Sequence, residues 1–282
     1  MINKMNPVLK AIKGYMRPKK TQSRTPSDVK IRLRNVHKNF GEKKVLRGVD
    51  LDIHKGESLV VIGGSGSGKS VLIKNIMGLM EPTRGSIKID GQEVANFSSR
   101  ERAVMMERFG MLFQGGALFD SIPVWKNISF AMMQSKKVNN AEAYDLAVEK
   151  LNNVGLGGEV AKLFPSELSG GMQKRVALAR AIVHNPEVIF FDEPTTGLDP
   201  IMADVINDLI IKCSSELGAT TFTITHDMHS AKKIADKVAM IYEGKIIWHD
   251  SVKNLNSCDN EYVQQFINGR AKGPIKMKLQ DH

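Results

Sequence analysis

Cysteine is nearly absent from this 282-residue chain, and Cys213 and Cys258 form neither a CxxC pair nor a metal-ligand cluster. That excludes a disulfide framework and fits a reducing cytoplasm. Long apolar runs are missing too. The longest, such as Leu59, Val60, Val61, Ile62 or Val188, Ile189, Phe190, Phe191, fall far short of the roughly 20 residues a membrane span needs. If the protein serves a membrane, another chain must cross it. Acid is lacking altogether from residues 1–27, which hold Lys4, Lys10, Lys13, Arg17, Lys19, Lys20 and Arg24, while residues 270–282 set Arg270, Lys272, Lys276 and Lys278 against Asp281 alone. The net charge of +10 and the pI near 9.5 therefore reside in two tails around a nearly neutral body. A folded nucleic-acid binder would carry its positive charge on the body, so no nucleic-acid partner is expected.

What is present fits one large α/β domain with short additions. The basic extension, residues 1–28, sets Ile2, Met5, Leu9, Ile12 and Met16 at helical spacing among lysines, interrupted by Pro7. The plainer reading is a mobile solvated tail. Contact with anionic lipid or a partner is the alternative, and a transit peptide, in a segment poor in Ser and Arg, is the third. From Val29 the pattern alternates at Val29, Ile31, Leu33, then at Val49, Leu51, Ile53, then at Ile87 and Ile89, which predicts half-buried antiparallel strands. Short apolar runs before Gly63, Asp192 and His226 predict parallel strands covered on both faces. Between them, residues 115–169 read as a mostly helical insertion with a helix near 141–154. A hairpin turns at Glu243 and Gly244, and a last short helix near 261–268 opens a C-terminal region, 256–282, that ends in the basic tail.

Gly63, Gly64, Ser65, Gly66, Ser67, Gly68, Lys69 and Ser70 follow an apolar strand and lead into the helical pattern Val71, Leu72, Ile73, Ile76. This is the order of a phosphate-binding loop: glycines let backbone N–H groups converge on phosphate oxygens, and the helix N-terminus adds its positive end. Lys69 is expected to reach the β and γ phosphates and Ser70 to ligate Mg²⁺. The strand ending in Asp192 and Glu193 supplies two carboxylates, one to hold Mg²⁺ through water and one to polarise the water that attacks the γ phosphate.

Leu168, Ser169, Gly170, Gly171, Met172 and Gln173 shortly before that strand resemble the signature motif of the ABC ATPase family. The resemblance runs from about Val29 to Ser251. It implies a P-loop NTPase core of the ABC type within residues 29–255, carrying an antiparallel β subdomain and an inserted helical subdomain. It further implies an active ATPase using ATP and Mg²⁺, as a head-to-tail dimer in which Ser169, Gly170 and Gly171 face the γ phosphate on the second copy. Phe40 stands where the family usually stacks a tyrosine on adenine. Gln114 matches the Mg²⁺-ligating, γ-phosphate-sensing glutamine, Asp199 the contact across the dimer, and His226 the switch histidine that orients Glu193. A lone histidine at a strand end is ordinarily structural, so the role of His226 depends on the ordered set. All catalytic motifs look intact, against a purely regulatory module.

Residues 111–121, 165–172 and 265–275 resemble, more narrowly, the ATPases of MCE-domain lipid transporters, the MlaF-type group of Mla phospholipid-transport systems. That implies a membrane permease, an MCE-domain protein and a STAS-domain regulator as partners, with the ATPase peripheral on the cytoplasmic face of an inner membrane. The C-terminal helix and tail are expected to strengthen the dimer. The alternatives are an ABC ATPase for another substrate, amino acid or lipoprotein, or a non-transport ATPase on nucleic acid or ribosomes. The neutral body, the single cassette and the lack of a long coiled-coil insertion count against the last.

Overall fold

The computed structural model describes residues 28–135 and 137–276, so the helical spacing of the N-terminal extension and the end of the basic tail lie outside the described residues. Two twelve-residue strands, β1 (Val29–Phe40) and β2 (Lys43–His54), pair antiparallel, with β4 (Arg84–Ile89) on the other edge of β1 and the short β5 (Gln92–Glu93) beyond it. Ile31, Leu33, Val49, Leu51, Ile53, Ile87 and Ile89 all point into the core, as their alternation predicts. A bulge near Asn35 breaks the register. There β4 begins so close to β1 that a Cβ on Gly85, at φ +106°, would lie 2.3 Å from the Asn35 carbonyl oxygen.

The second sheet runs β10-β9-β3-β8-β7-β6. Strands β3 (Ser58–Ile62), β6 (Phe109–Leu112), β7 (Val188–Asp192), β8 (Thr220–Thr225) and β9 (Lys237–Tyr242) are parallel, and β10 (Lys245–Ser251) closes the edge as a hairpin on β9. Strands β3 and β7 are nearly continuously apolar, and β8 buries threonines beside Phe222 and Ile224, because each face fills a different core. Leu59, Val61, Val188, Phe190 and Phe222 pack toward the antiparallel sheet and α1 (Lys69–Ile76). Val60, Ile62, Ile189 and Phe191 pack toward the helical side. Each such side chain contributes about 1.5–3 kcal/mol on burial.

The helical side comprises α3 (Val124–Gln134), α4 (Asn140–Asn153), α5 (Gly170–Ile182), α6 (Pro200–Leu217) and α7 (Met228–Ile234), while α2 (Ser99–Met106) follows the antiparallel sheet. The helix expected near 141–154 is α4, begun by Asn139, whose side chain accepts the N–H groups of Ala141 and Glu142. The last helix, α8 (Glu261–Ile267), packs back on its own chain: Val263 is buried and the Tyr262 and Tyr242 rings are 5.0 Å apart.

An ion-pair network ties the two sheets together at the end of the molecule where β1, β6 and β7 begin. The buried Lys30 ammonium pairs with Asp90 at 2.8 Å and also with Glu187, and Arg108 grips Glu187 through two bonds of 2.8 and 2.7 Å.

Candidate functional site

Strands β3, β6, β7 and β8 are parallel neighbours, so the loops that follow them emerge along one edge of the sheet. After β3 the chain coils through residues 63–68 into α1. A Cβ on Gly63 would lie 2.4 Å from the Ile241 carbonyl oxygen, and Gly66 and Gly68 have φ of +73° and +106°. Side chains are thereby excluded where the loop is tightest, and the N-terminus of α1 opens at the sheet edge. Lys69 donates to the carbonyl oxygens of Gly63 and Gly64, at 2.7 and 3.0 Å. Burial pushes its ammonium pKa down, and the nearby Glu193 and Asp192 charges pull it back toward the charged form.

An open cleft of about 460 Å³ forms there, lined by Ser65, Gly66, Lys69, Ser70, Gln114, Asp192, Glu193, Ile224 and His226. Eight of these nine are residues the sequence nominates, drawn from four separate segments. Gly63, Gly64, Ser67, Gly68 and Val71 shape the same loop and helix without lining the cleft. The carboxyl of Asp192 is pushed up, first by burial and then by Glu193, while Lys69, Lys74 and Lys174 hold it down. Glu193 is 8% exposed and sits at φ +49°, uncommon for a residue with a side chain. Its Oε2 accepts from the Thr225 and Thr196 hydroxyls at 3.2 Å each and from the His226 backbone N–H at 3.4 Å, and His226 Nδ1 lies 2.9 Å from the same oxygen.

The remaining nominated residues lie elsewhere in this single chain. Phe40, at the end of β1, is half exposed, with Lys38 Nζ 5.4 Å from its ring centroid. Ser169 caps α5 by accepting the Met172 N–H at 3.3 Å. Gly170 and Gly171 form the first turn of that helix, beside Leu198 and Met202. Asp199 caps α6 by accepting from Ile201 and Met202, both at 3.0 Å.

A sequence model for ABC transporters matches residues 46–196. The chain belongs to the ABC transporter family. Among its ABC relatives, it is 40% identical over 254 residues to the "Probable ribonucleotide transport ATP-binding protein mkl" of Mycobacterium leprae, covering 90% of this chain and 73% of that protein. It is 38% identical over 248 residues to the "Intermembrane phospholipid transport system ATP-binding protein MlaF" of Haemophilus influenzae, covering 88% and 94%. A solved ATP-binding cassette, described as a dimeric post-hydrolysis state bound to ADP and Pi, superposes with a TM-score of 0.72 at 30% identity, over 79% of this chain and 98% of that one. The protein is thus an ATP-binding ABC ATPase, from a family whose cassettes form dimers.

Residues that sequence reasoning gave no role complete the surroundings. The buried Lys174 of α5 donates to the Gln114 carbonyl, and Arg180, two turns on, donates to the carbonyls of Gly116 and Ala117 at 2.5 and 2.7 Å. The ABC signature helix therefore grips the backbone of the glutamine loop. Its cations are visible in the sequence, but their acceptors are main-chain atoms some 60 residues away, which no side-chain pattern reveals. The same holds for Thr225, whose hydroxyl reaches Glu193 only because β7 and β8 lie side by side.

Proposed function

We propose that this chain hydrolyses ATP to energise phospholipid transport between an inner and an outer membrane, working as a dimer beneath a permease that carries an MCE-domain protein and a STAS-domain regulator. The observation that carries the enzymatic part is the single cleft joining Lys69, Ser70, Gln114, Asp192, Glu193 and His226.

The donor set fits Mg²⁺-ATP. Ser70, Gln114 and Asp192 offer hard oxygen ligands in the cleft, and the glycine loop leaves room for phosphate beside α1. Bound Mg²⁺ would neutralise phosphate charge. Lys69 would exchange its two carbonyl acceptors for β and γ phosphate oxygens. Glu193 takes a proton from the attacking water, and His226 holds Glu193 in orientation. Phe40 would stack on adenine from outside the cleft. Ser169, Gly170 and Gly171 are reserved for the γ phosphate of a second copy, with Asp199 at the same interface.

No helix among the described residues is long and apolar enough to cross a membrane, which agrees with a peripheral subunit at the cytoplasmic face. Around the glutamine loop, Phe113, Phe119 and Phe130 are exposed, the last two with ring centroids 4.8 Å apart, and this apolar patch suits a permease surface. The likeness to MlaF, which extends over 94% of that protein, supports phospholipid as the substrate. The likeness to mkl, whose name specifies ribonucleotide transport, favours as a second reading an ABC ATPase for another cargo.

The test is purification of the tagged chain from native membranes in mild detergent with mass spectrometry of what stays bound. A permease with an MCE-domain protein supports lipid transport. A different permease removes the lipid assignment, and ribosomes or nucleic acid would overturn the transport reading.

A further inference from the structure

From the hydrogen bonds around Glu193 we infer that its two carboxylate oxygens have separate duties, Oε2 anchoring the side chain and Oε1 taking the proton from water, and that Thr225 and Thr196 are the positioning residues that enforce this division. The inference rests on reading Glu193 as the general base. Among the described residues, the three hydrogen-bond donors to this carboxylate all reach Oε2, Thr225 Oγ1 and Thr196 Oγ1 at 3.2 Å and the His226 N–H at 3.4 Å, and His226 Nδ1 stands 2.9 Å from the same oxygen. Oε1 accepts none of them and is not one of the buried polar atoms left without a partner, so it is the oxygen open to the cleft that Glu193 lines.

The threonines act in only one sense. Thr225 is fully buried at the end of β8, where its Oγ1 accepts the Asp227 N–H at 3.0 Å. A hydroxyl has one proton, and with Oγ1 accepting from Asp227 that proton is directed to Glu193. Thr196 approaches from the loop after β7, and its own N–H bonds the Glu193 carbonyl at 3.3 Å. The carboxylate is thus held from β8 and from its own loop together, while the Glu193 N–H is fixed to the Ile224 carbonyl at 2.9 Å. With two hydroxyls and one main-chain N–H bonded to Oε2 and His226 Nδ1 close against it, rotation about the last side-chain bond would exchange a satisfied oxygen for an unsatisfied one.

In the reaction this assigns every atom. The water oxygen forms its bond to the γ phosphorus as the bond from phosphorus to the ADP oxygen breaks, ADP leaves with that electron pair, and the water proton passes to Oε1. Misplacing a base by about 1 Å is enough to slow such a step strongly, which is where the threonine hydroxyls enter.

The experiment compares Thr196→Val, Thr225→Val, the double variant and the two Thr→Ser counterparts in the full chain, with Glu193→Gln alongside. ATP turnover, KM and nucleotide affinity are measured after thermal melts confirm folding. Each Val variant should lose about tenfold in kcat and the double variant about a hundredfold, with ATP affinity unchanged and Ser restoring the rate, since each hydrogen bond to a charged group is worth about 1.5–3 kcal/mol. Val variants within twofold of the parent, while Glu193→Gln is inactive, would overturn the threonine assignment and leave Glu193 as base. Parental turnover in Glu193→Gln would remove the base itself. Thr225→Val also strips a buried acceptor from the Asp227 N–H, so if it fails to fold, the half-buried Thr196→Val decides.

Discussion

His226 Nδ1 lies 2.9 Å from Glu193 Oε2, joining the residue after β8 to the residue after β7. The two side chains differ sharply in access: that of His226 is 63% exposed and that of Glu193 only 11%. The histidine is the solvent-facing member of the pair and can therefore sense what enters the cleft, while the carboxylate it touches is fixed by buried neighbours. This asymmetry suits a switch acting on a base.

Glu193→Gln should keep ATP binding while kcat falls by about 10²–10⁴, the usual contribution of a positioned general base. A closed, ATP-loaded dimer should accumulate and be visible by size-exclusion chromatography. Near-parental turnover would strip Glu193 of its role.

Asp192 links activity to stability in opposite senses. Burial and Glu193 raise its carboxyl pKa above the ordinary value, so in the folded chain its ionisation is disfavoured. The sign follows: the penalty is absent below the unfolded pKa, grows through the window up to the raised folded value, and is complete above it. D192N should therefore melt a few degrees higher than the parent near neutral pH in the absence of nucleotide and Mg²⁺, yet lose ATPase activity. A lower melting temperature would show that the lysines around it outweigh the burial.

How much could be read beforehand differs by element. The antiparallel strands were legible because Ile31, Leu33, Val49 and Leu51 alternate, and β3 and β7 because unbroken apolar runs end at Gly63 and Asp192. Strand β6 was not. It has four residues, one of them Gly110, whose missing side chain lets the Ala181 carbonyl of α5 come within 2.2 Å of where a Cβ would stand. Lys69, Ser70, Asp192 and Glu193 were legible as motifs because each sits at a fixed offset from β3 or β7, whereas Gln114 and His226 were nominated through the resemblance to the ABC ATPase family. What sequence could not give is the set of contacts between loops, such as Thr225 on Glu193 or Arg180 on Gly116, because these depend on strand order in space.

Glu187 makes the network at the base of the sheets sensitive to acid. Arg108, then Lys30, hold its carboxyl down at about 2, against burial, which raises it. A depressed carboxylate contributes its stability above the unfolded pKa of 4.5 and loses it as pH falls toward about 2. Glu187→Gln should be less stable than the parent in urea at about pH 7, with the gap closing through that window. Its side chain is half exposed, so screening by solvent keeps the effect modest. A gap independent of pH would assign it to packing.

The grip of α5 on the glutamine loop gives the last prediction. Burial lowers the pKa of both Lys174 and Arg180, so each charge is held against a desolvation cost and depends on its carbonyl acceptors, with Asp192 and Glu193 helping Lys174. Lys174→Met keeps most of the aliphatic volume, and Arg180→Met does the same farther along the loop. Each leaves loop carbonyls without a donor, so the loop should detach from α5 while the phosphate-binding loop stays intact. Amide hydrogen exchange across residues 114–118 should rise, ATP affinity should hold, and kcat should fall by about three- to tenfold because Gln114 is no longer presented steadily to the cleft. If exchange rises and turnover does not change, the presentation of Gln114 does not depend on the signature helix. If ATP affinity falls instead in Lys174→Met, that cation acts through the charge it adds near Asp192 and Glu193 and not through the loop.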